Sequence, residues 1–187
     1  MSENDHQLRM VLPEQLLCKP PQIQIPLGYS LLTYLPGDET RFYQVMSISG
    51  WQGWNDEKLQ PWVARILPDG WFMIVDDAHN QIVATAMALR DVSEFGSQGG
   101  ELGWLASDLA HAGKGLGLAV CAAVIARFIR EGYRNINLYT EHYRLAALKT
   151  YFKLGFVPYL DQPEMLERWS VVCDQLGWKF APEQWKQ

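Results

Sequence analysis

Residues 112–117 read Ala-Gly-Lys-Gly-Leu-Gly and stand directly before an apolar stretch at 118–129 (LAVCAAVIARFI). That stretch is apolar on almost every side of a helix, which predicts a buried helix whose N-terminus follows the glycines. Glycine lets backbone N–H groups approach a ligand closely, and a helix N-terminus carries a partial positive charge. The segment is therefore suited to hold a pyrophosphate. The same spacing is also typical of a flexible turn, and it matches neither the Walker A motif nor the GxGxxG dinucleotide fingerprint.

Downstream of this helix, strands and helices alternate. The sequence predicts a strand at 135–139, a helix at 145–154, a strand at 156–160 and a closing amphipathic helix at 165–176. Gly155 is expected to end the helix that precedes it, because glycine adopts the backbone conformation that terminates helices.

Upstream, the pattern is that of an antiparallel meander. Strands are predicted at 29–34, 71–75, 81–89 and 101–106, and helices at 39–49 and 56–67. The polar run at 76–80 has the composition of a hairpin turn. A meander followed by alternating strands and helices predicts one α/β domain with a mixed sheet over residues 27–187. Residues 1–26 carry Pro13, Pro20, Pro21 and Pro26 and are predicted to form a loose N-terminal arm or a short helix.

The composition excludes several classes of protein. The chain has 187 residues, 48% of them apolar and 12% aromatic, which excludes a disordered chain. A formal charge of −5 argues against a nucleic-acid partner, since such binders carry basic patches. The cysteines, Cys18, Cys121 and Cys173, form neither a CxxC pair nor a metal-ligand pattern, so no disulfide framework and no metal are expected. Without a signal-like or membrane-spanning segment, the sequence predicts a cytoplasmic protein with no membrane partner.

A second motif about forty residues downstream, at 144–156 (RLAALKTYFKLGF), gives the glycine loop a context. Together the two motifs resemble those of the GNAT superfamily of N-acetyltransferases, which use acetyl-coenzyme A. Gly115 and Gly117 match the family loop Arg/Gln-x-x-Gly-x-Gly/Ala, although Ala112 replaces its first residue. The second family motif reads approximately Asn-x-x-Ala-x-x-x-Tyr-x-x-x-Gly-Phe. Ala147, Tyr151, Gly155 and Phe156 match that motif, whereas Arg144 replaces its Asn.

The resemblance implies a three-layer fold and a binding mode for acetyl-CoA. Two parallel strands, beginning near 101 and 135, would splay apart and receive the pantetheine arm between them. Backbone groups of one strand would bind the pantetheine amides, and the loop amides would hold the pyrophosphate. Arg144 would meet a phosphate, and Lys114 would add charge there unless it is a solvated loop lysine. The residues expected to contact the cofactor are Leu105, Ala106, Ser107, Ala112, Gly113, Lys114, Gly115, Leu116, Gly117, Leu118 and Arg144.

The resemblance also implies catalytic roles. Tyr151 would donate a proton to the departing thiolate, and Glu101 would accept a proton from the amine. Asp108, His111 and His142 are further candidates for the base. Direct attack of the amine on the thioester, without a covalent enzyme intermediate, is the expected mechanism.

The predicted function is therefore an N-acetyltransferase that transfers the acetyl group of acetyl-CoA to the amine of a small molecule. A protein or peptide N-acetyltransferase and a non-catalytic acyl-CoA-binding sensor remain alternatives, and the resemblance allows a homodimer. Four tryptophans in the first half are candidates for an aromatic wall around an apolar or cationic amine, although core packing is the commoner use of tryptophan. They are Trp51, Trp54, Trp62 and Trp71.

Overall fold

A computed structural model describes residues 7–91 and 98–185 of the chain. Its seven described strands are β1 (Leu8–Val11), β2 (Tyr29–Thr33), β3 (Ile66–Asp76), β4 (Gln81–Asp91), β5 (Gly99–Ser107), β6 (Asn135–Thr140) and β7 (Val157–Pro158). Its five described α-helices are α1 (Glu39–Ile48), α2 (Asp56–Val63), α3 (Leu116–Arg130), α4 (Leu145–Lys153) and α5 (Met165–Leu176).

The strands form one mixed sheet in the order β2-β3-β4-β5-β6-β1-β7. Strands β2 to β5 pair antiparallel, as the meander pattern predicted, and β5 pairs with β6 in parallel. The turn between β3 and β4 is tight because Asn80 adopts a positive φ of 53°, which asparagine tolerates better than most residues. The α/β fold class with a mixed sheet is confirmed.

Helices cover both faces of this sheet. On one face, α1 and α2 bury Phe42, Val45, Met46 and Leu59 against β3, β4 and β5. On the other face, α3, α4 and α5 share a second apolar cluster with the sheet. Helix α3 is apolar on most sides because it lies between the sheet and α4, and ten of its residues are buried. None of the helices in the described part of the chain is long and apolar enough to cross a membrane.

The N-terminal segment differs from the predicted loose arm. Leu8–Val11 form β1, which lies inside the sheet between β6 and β7 and pairs antiparallel with both. Leu8 and Met10 are fully buried. Arg9 is also buried, with its guanidinium against the rings of Tyr139 and Tyr159, so a cation stands in the middle of a core strand. A four-residue strand with a central arginine is too short to show a clear alternation, which explains why the sequence pattern missed it.

The bounds of α2, β3 and β7 also differ from prediction. Helix α2 ends at Val63, and β3 begins at Ile66, where the sequence pattern had extended a helix to residue 67. Ile66 instead pairs with Leu89 of β4, so pairing with the neighbouring strand outweighs the local helical preference. Strand β7 has only two residues rather than five, and Pro158 offers no N–H for a longer ladder.

Candidate functional site

The sheet opens between β5 and β6. These strands pair only from Gly99–Asn135 to Glu101–Asn137, although β5 continues to Ser107 and β6 to Thr140. Beyond Glu101 no ladder joins the two strands within residues 7–91 and 98–185. The β5 edge there can offer backbone groups to a ligand, as an edge strand does to an added strand. The segment includes Leu105, Ala106 and Ser107, for which the family resemblance implies contacts with pantetheine.

A bulge bends β5 within the same segment. The register between β4 and β5 shifts between Thr85 and Met87, and Trp104 adopts a φ of 53°. A bulky side chain in this left-handed region costs about 1–3 kcal/mol, so the surrounding packing must hold it there. Trp104 was not singled out by the sequence, because a positive φ at tryptophan has no signature in composition or spacing.

The glycine loop forms an open cradle before α3. Gly113 and Gly115 both have a φ of 79°, and a Cβ added at either position would meet nothing within 4 Å. Gly115 is the N-cap residue, and no side chain caps the helix. The first N–H groups of α3, including those of Leu116, Gly117 and Leu118, have no partner within the helix itself. The loop therefore fits a polyphosphate in conformation, in space and in charge.

Lys114 points from this loop to the edge strand β2. Its Nζ donates to the hydroxyl of Tyr29, which also lies 2.8 Å from Nδ1 of His111. Asp108 accepts a hydrogen bond from the N–H of Ala110 and so shapes the turn before the loop. Two alternative candidates for the base, Asp108 and His111, therefore have local partners in the structure, and Tyr29 is a loop contact that sequence reasoning missed.

Tyr151 lies on α4 in the apolar cluster that also holds Leu116 and Cys121 of α3. It is 4% exposed, and no hydrogen bond joins its hydroxyl to another described residue. Burial raises the pKa of this phenol, Cys121 adds to the increase, and the positive charge of Arg144 opposes it. The hydroxyl is therefore protonated at neutral pH and is free to donate that proton to a ligand.

Glu101 lies at the point where β5 and β6 separate, and its carboxylate pairs with Arg65. The Arg65 Nη2–Glu101 Oε2 distance is 2.5 Å. Burial raises the pKa of Glu101 above its usual value, and Arg65 pulls it downward. Arg65 follows α2, thirty-six positions away in sequence, so no local pattern identified it as the partner of Glu101.

An aromatic cluster with Trp104 at its centre lies beside the Arg65–Glu101 pair. The ring of Trp104 makes edge-to-face contacts with Trp51 (5.2 Å between centroids), Trp54 (4.5 Å) and Trp62 (4.8 Å). Trp71 has a different place: it is 2% exposed, stacks on Tyr34 and donates its indole N–H to Thr85. Trp71 is therefore a core residue, and three of the four tryptophans meet at Trp104.

Two arginines contact the rim of this cluster. The guanidinium of Arg65 lies 5.1 Å from the ring centroid of Trp62, and that of Arg144 lies 3.7 Å from that of Trp51. The expected aromatic wall for a cationic amine thus already carries cations of the protein itself. Arg144, for which the family resemblance implies a phosphate contact, lies on the tryptophan cluster and also close to Tyr143.

Comparison with known proteins identifies the family. The model of the acetyltransferase (GNAT) family matches residues 37–156, well over half of the chain. The chain belongs to the GNAT acetyltransferase family. The match contains the opening between β5 and β6, the glycine loop, α3 and α4, which are the elements that build the site.

Individual GNAT proteins resemble different shares of this chain. A mycothiol acetyltransferase from Nocardia farcinica is 28% identical over 149 residues, covering 74% of this chain and 48% of that protein. The crystal structure of a GCN5-related N-acetyltransferase from Sphaerobacter thermophilus has a TM-score of 0.66 at 22% identity, covering 81% of this chain and 48% of the other. This GNAT chain therefore spans about half the length of both proteins.

A third relative was solved with ligands. Diaminobutyrate acetyltransferase EctA from Paenibacillus lautus, in complex with L-2,4-diaminobutyric acid and coenzyme A, has a TM-score of 0.56 at 14% identity. The aligned part covers 67% of this chain and 73% of that one. At such low identity, this structure and the Sphaerobacter structure show that the GNAT fold is shared.

Away from these elements, a cavity of about 750 Å³ lies near the C-terminal end of α4. It is lined by Phe152, Gly155, Trp178 and Trp185, among others, and by none of the residues predicted to hold coenzyme A or to catalyse. Within the described part of this GNAT chain, no group of three or more His, Cys, Asp or Glu side chains is arranged to hold a metal ion.

Proposed function

We propose that this chain is an acetyl-CoA-dependent N-acetyltransferase whose acceptor is the amine of a small molecule. The observation that carries the proposal is Tyr151, a buried and protonated phenol without a hydrogen-bond partner among the described residues. It lies in one apolar cluster with Leu116, at the start of the helix that the glycine loop precedes. A donor for a leaving group thus accompanies a cradle for a polyphosphate.

Each part of the site would have one task. The N–H groups of residues 113–118 would bind the pyrophosphate, and the backbone of Leu105, Ala106 and Ser107 would bind the pantetheine amides. Bound acetyl-CoA would supply the acetyl group as an activated thioester. Lys114 would add positive charge at the phosphates.

Proton transfer would fall to two side chains. Glu101 would take a proton from the amine, directly or through a water, as the amine nitrogen forms its bond to the acetyl carbon. Tyr151 would give its proton to the sulfur as the carbon–sulfur bond breaks. Both groups would then return to their starting protonation states by exchange with solvent. This division follows general acid–base catalysis, in which each positioned group contributes about 10²–10⁴-fold.

The names of two relatives support a small-molecule acceptor. The Nocardia relative is named for mycothiol, and EctA was solved with diaminobutyrate. A protein or peptide acceptor is the alternative within the same class. A non-catalytic acyl-CoA sensor is the alternative from another class, and it is favoured by the replaced motif residues, Ala112 and Arg144.

The test uses Tyr151→Phe, which removes only the hydroxyl. We expect wild type to release free coenzyme A from acetyl-CoA with a panel of amines, and the variant to lose about 100-fold or more in kcat. Calorimetry should show unchanged coenzyme A affinity for the variant. Equal rates at every pH would contradict the role of Tyr151. Coenzyme A binding by wild type without turnover of any small amine or peptide would favour the sensor.

A further inference from the structure

Arg144 and Trp51 form a contact across two parts of the fold. Arg144 is the residue that precedes α4, whereas Trp51 lies in the segment between α1 and α2. Their separation of 3.7 Å, from guanidinium carbon to ring centroid, is that of a plane stacked directly on an aromatic face. Because a stacked guanidinium keeps its N–H groups in its own plane, those groups stay available to a further partner.

Two polar atoms at this contact are buried without an acceptor. Nε of Arg144 and Nε1 of Trp51 are both shielded from solvent, and neither has a hydrogen-bond partner among the described residues. Both atoms are donors, and a buried donor without a partner costs about 1–3 kcal/mol. These two N–H groups therefore lack a hydrogen-bond acceptor, which a ligand can provide.

Arg65 and Arg144 differ in their ionic partners. Both arginines lie on tryptophans of the same cluster, but Arg65 pairs with the carboxylate of Glu101. Arg144 forms no ion pair with any residue in the described ranges 7–91 and 98–185. Of the two guanidinium groups on the tryptophan cluster, that of Arg144 has no carboxylate partner in the described part of the chain.

Arg144 also lies within electrostatic reach of the phenol of Tyr151. It stands at the N-cap of α4, seven positions before Tyr151, and positions two helical turns apart lie on the same side of a helix. Its positive charge lowers the pKa of the Tyr151 hydroxyl, although burial, the larger effect, raises that pKa. A ligand group held by Arg144 would therefore lie beside the acetyl-transfer centre.

We propose that Arg144 and the indole N–H of Trp51 bind a carboxylate of the acceptor, so that the substrate is an amine that also carries a carboxylate. The proposal rests on the proposed function and names its substrate class. A guanidinium fork matches the two oxygens of a carboxylate, and the neighbouring indole supplies one more donor. A purely cationic amine would meet the positive charge of Arg144 instead, which disfavours it.

The experiment uses pairs of amines that differ only in the carboxylate. Suitable pairs are L-2,4-diaminobutyrate with 1,3-diaminopropane, L-lysine with cadaverine, and L-tryptophan with tryptamine. We expect wild type to show a higher kcat/KM for the carboxylate member of the pair it accepts best. Arg144→Gln should lower that kcat/KM by about 10- to 100-fold and change the value for the decarboxylated partner by less than about threefold. Arg144→Lys should fall between the two.

The matched control is Arg130→Gln, which removes an exposed guanidinium at the far end of α3 and should leave both amines unaffected. The KM for acetyl-CoA should stay the same in all variants. A rise in that KM with both amines for Arg144→Gln would assign Arg144 to coenzyme A and overturn the proposal. An equal loss for both members of a pair, or a wild-type preference for the decarboxylated member, would overturn it too.

Calorimetry separates this inference from the proposed function. The coenzyme A-loaded protein is titrated with the same pairs, a measurement that needs no turnover. Selective binding of the carboxylate amine by wild type and its loss in Arg144→Gln would support the inference even if no acetyl transfer occurred. No selectivity in binding, in a protein that does acetylate amines, would contradict the inference alone.

Discussion

The two halves of the proposed site are built from different chemical groups. The cofactor half consists of backbone: an open cradle with two glycines at positive φ, a helix N-terminus without a side-chain cap and an unpaired strand edge. The acceptor half consists of side chains: three tryptophans around Trp104, with Arg65 and Arg144 at the rim. Backbone recognition suits a cofactor shared by a whole family, because it depends on few side chains. Side-chain recognition suits an acceptor that differs from protein to protein.

The largest expected effect concerns Glu101, where the two halves meet. Glu101→Gln should lower kcat/KM by about 100-fold or more at neutral pH, since an amide cannot accept the proton of the amine. A base acts when it is ionised, so wild-type activity should rise with pH through the pKa of Glu101, which burial has raised. The variant should lack this rising limb. The measurement is a pH profile of kcat/KM.

A variant of Arg65 provides a second test in the same pH profile of kcat/KM. Arg65 lowers the pKa of Glu101, so Arg65→Gln should move the rising limb to higher pH without abolishing it. Glu57→Gln, at an exposed carboxylate of α2, is the matched control and should leave the profile unchanged. A Glu101→Gln enzyme with wild-type rates and the same profile would assign the base elsewhere.

The next effect tests whether the cofactor half relies on backbone. Gly115→Glu places a carboxylate in the cradle, where it would repel a pyrophosphate, and should weaken coenzyme A binding by about 100-fold or more. Gly132→Glu is the matched control, because Gly132 follows the other end of α3, has a φ of 80° and likewise has no neighbour within 4 Å. Both variants carry the same backbone strain. Calorimetry with coenzyme A should therefore separate them, and equal affinities would disprove the cradle.

The smallest expected effect concerns Lys114, a side chain in the cofactor half. Lys114→Ala should raise the dissociation constant of coenzyme A by about two- to fivefold, because an exposed cation contributes little and salt screens it. The difference should shrink at high ionic strength. Lys153→Ala, which removes an exposed lysine at the end of α4, should have no effect. A loss of 100-fold for Lys114→Ala would show that a side chain rather than backbone dominates the cradle.

Sequence reasoning could predict a local motif where one short segment has to meet a single structural requirement. Gly113 and Gly115 stand directly before α3, and their positive φ values suit glycine best. Gly155 has a φ of 91°, a backbone conformation that favours glycine, and a Cβ there would also displace the end of the Leu16 side chain. The predicted fold class followed from such segments. The assignment of a catalytic role to Tyr151 came from the family motif and stays a prediction.

Contacts that join segments distant in the chain could not be predicted from the sequence. The place of β1 between β6 and β7 depends on pairing with residues more than a hundred positions away. The bulge at Trp104, the Arg65–Glu101 pair and the stack of Arg144 on Trp51 likewise arise only when separate elements meet. Arg144 is an example: its motif position predicts a phosphate contact, whereas its stack on the indole of Trp51 has no signature in the sequence.

The sequence by itself therefore determined the α/β class, the glycine loop before a buried helix and the motif that carries Tyr151. These depend on periodicity and on backbone conformations that few residue types adopt. Tertiary structure alone decided which side chains surround the proposed acceptor site, which carboxylate pairs with Arg65 and which tryptophan lies under Arg144. Such contacts join segments far apart in the chain, and their geometry is decided by packing between elements rather than by the preference of any one of them.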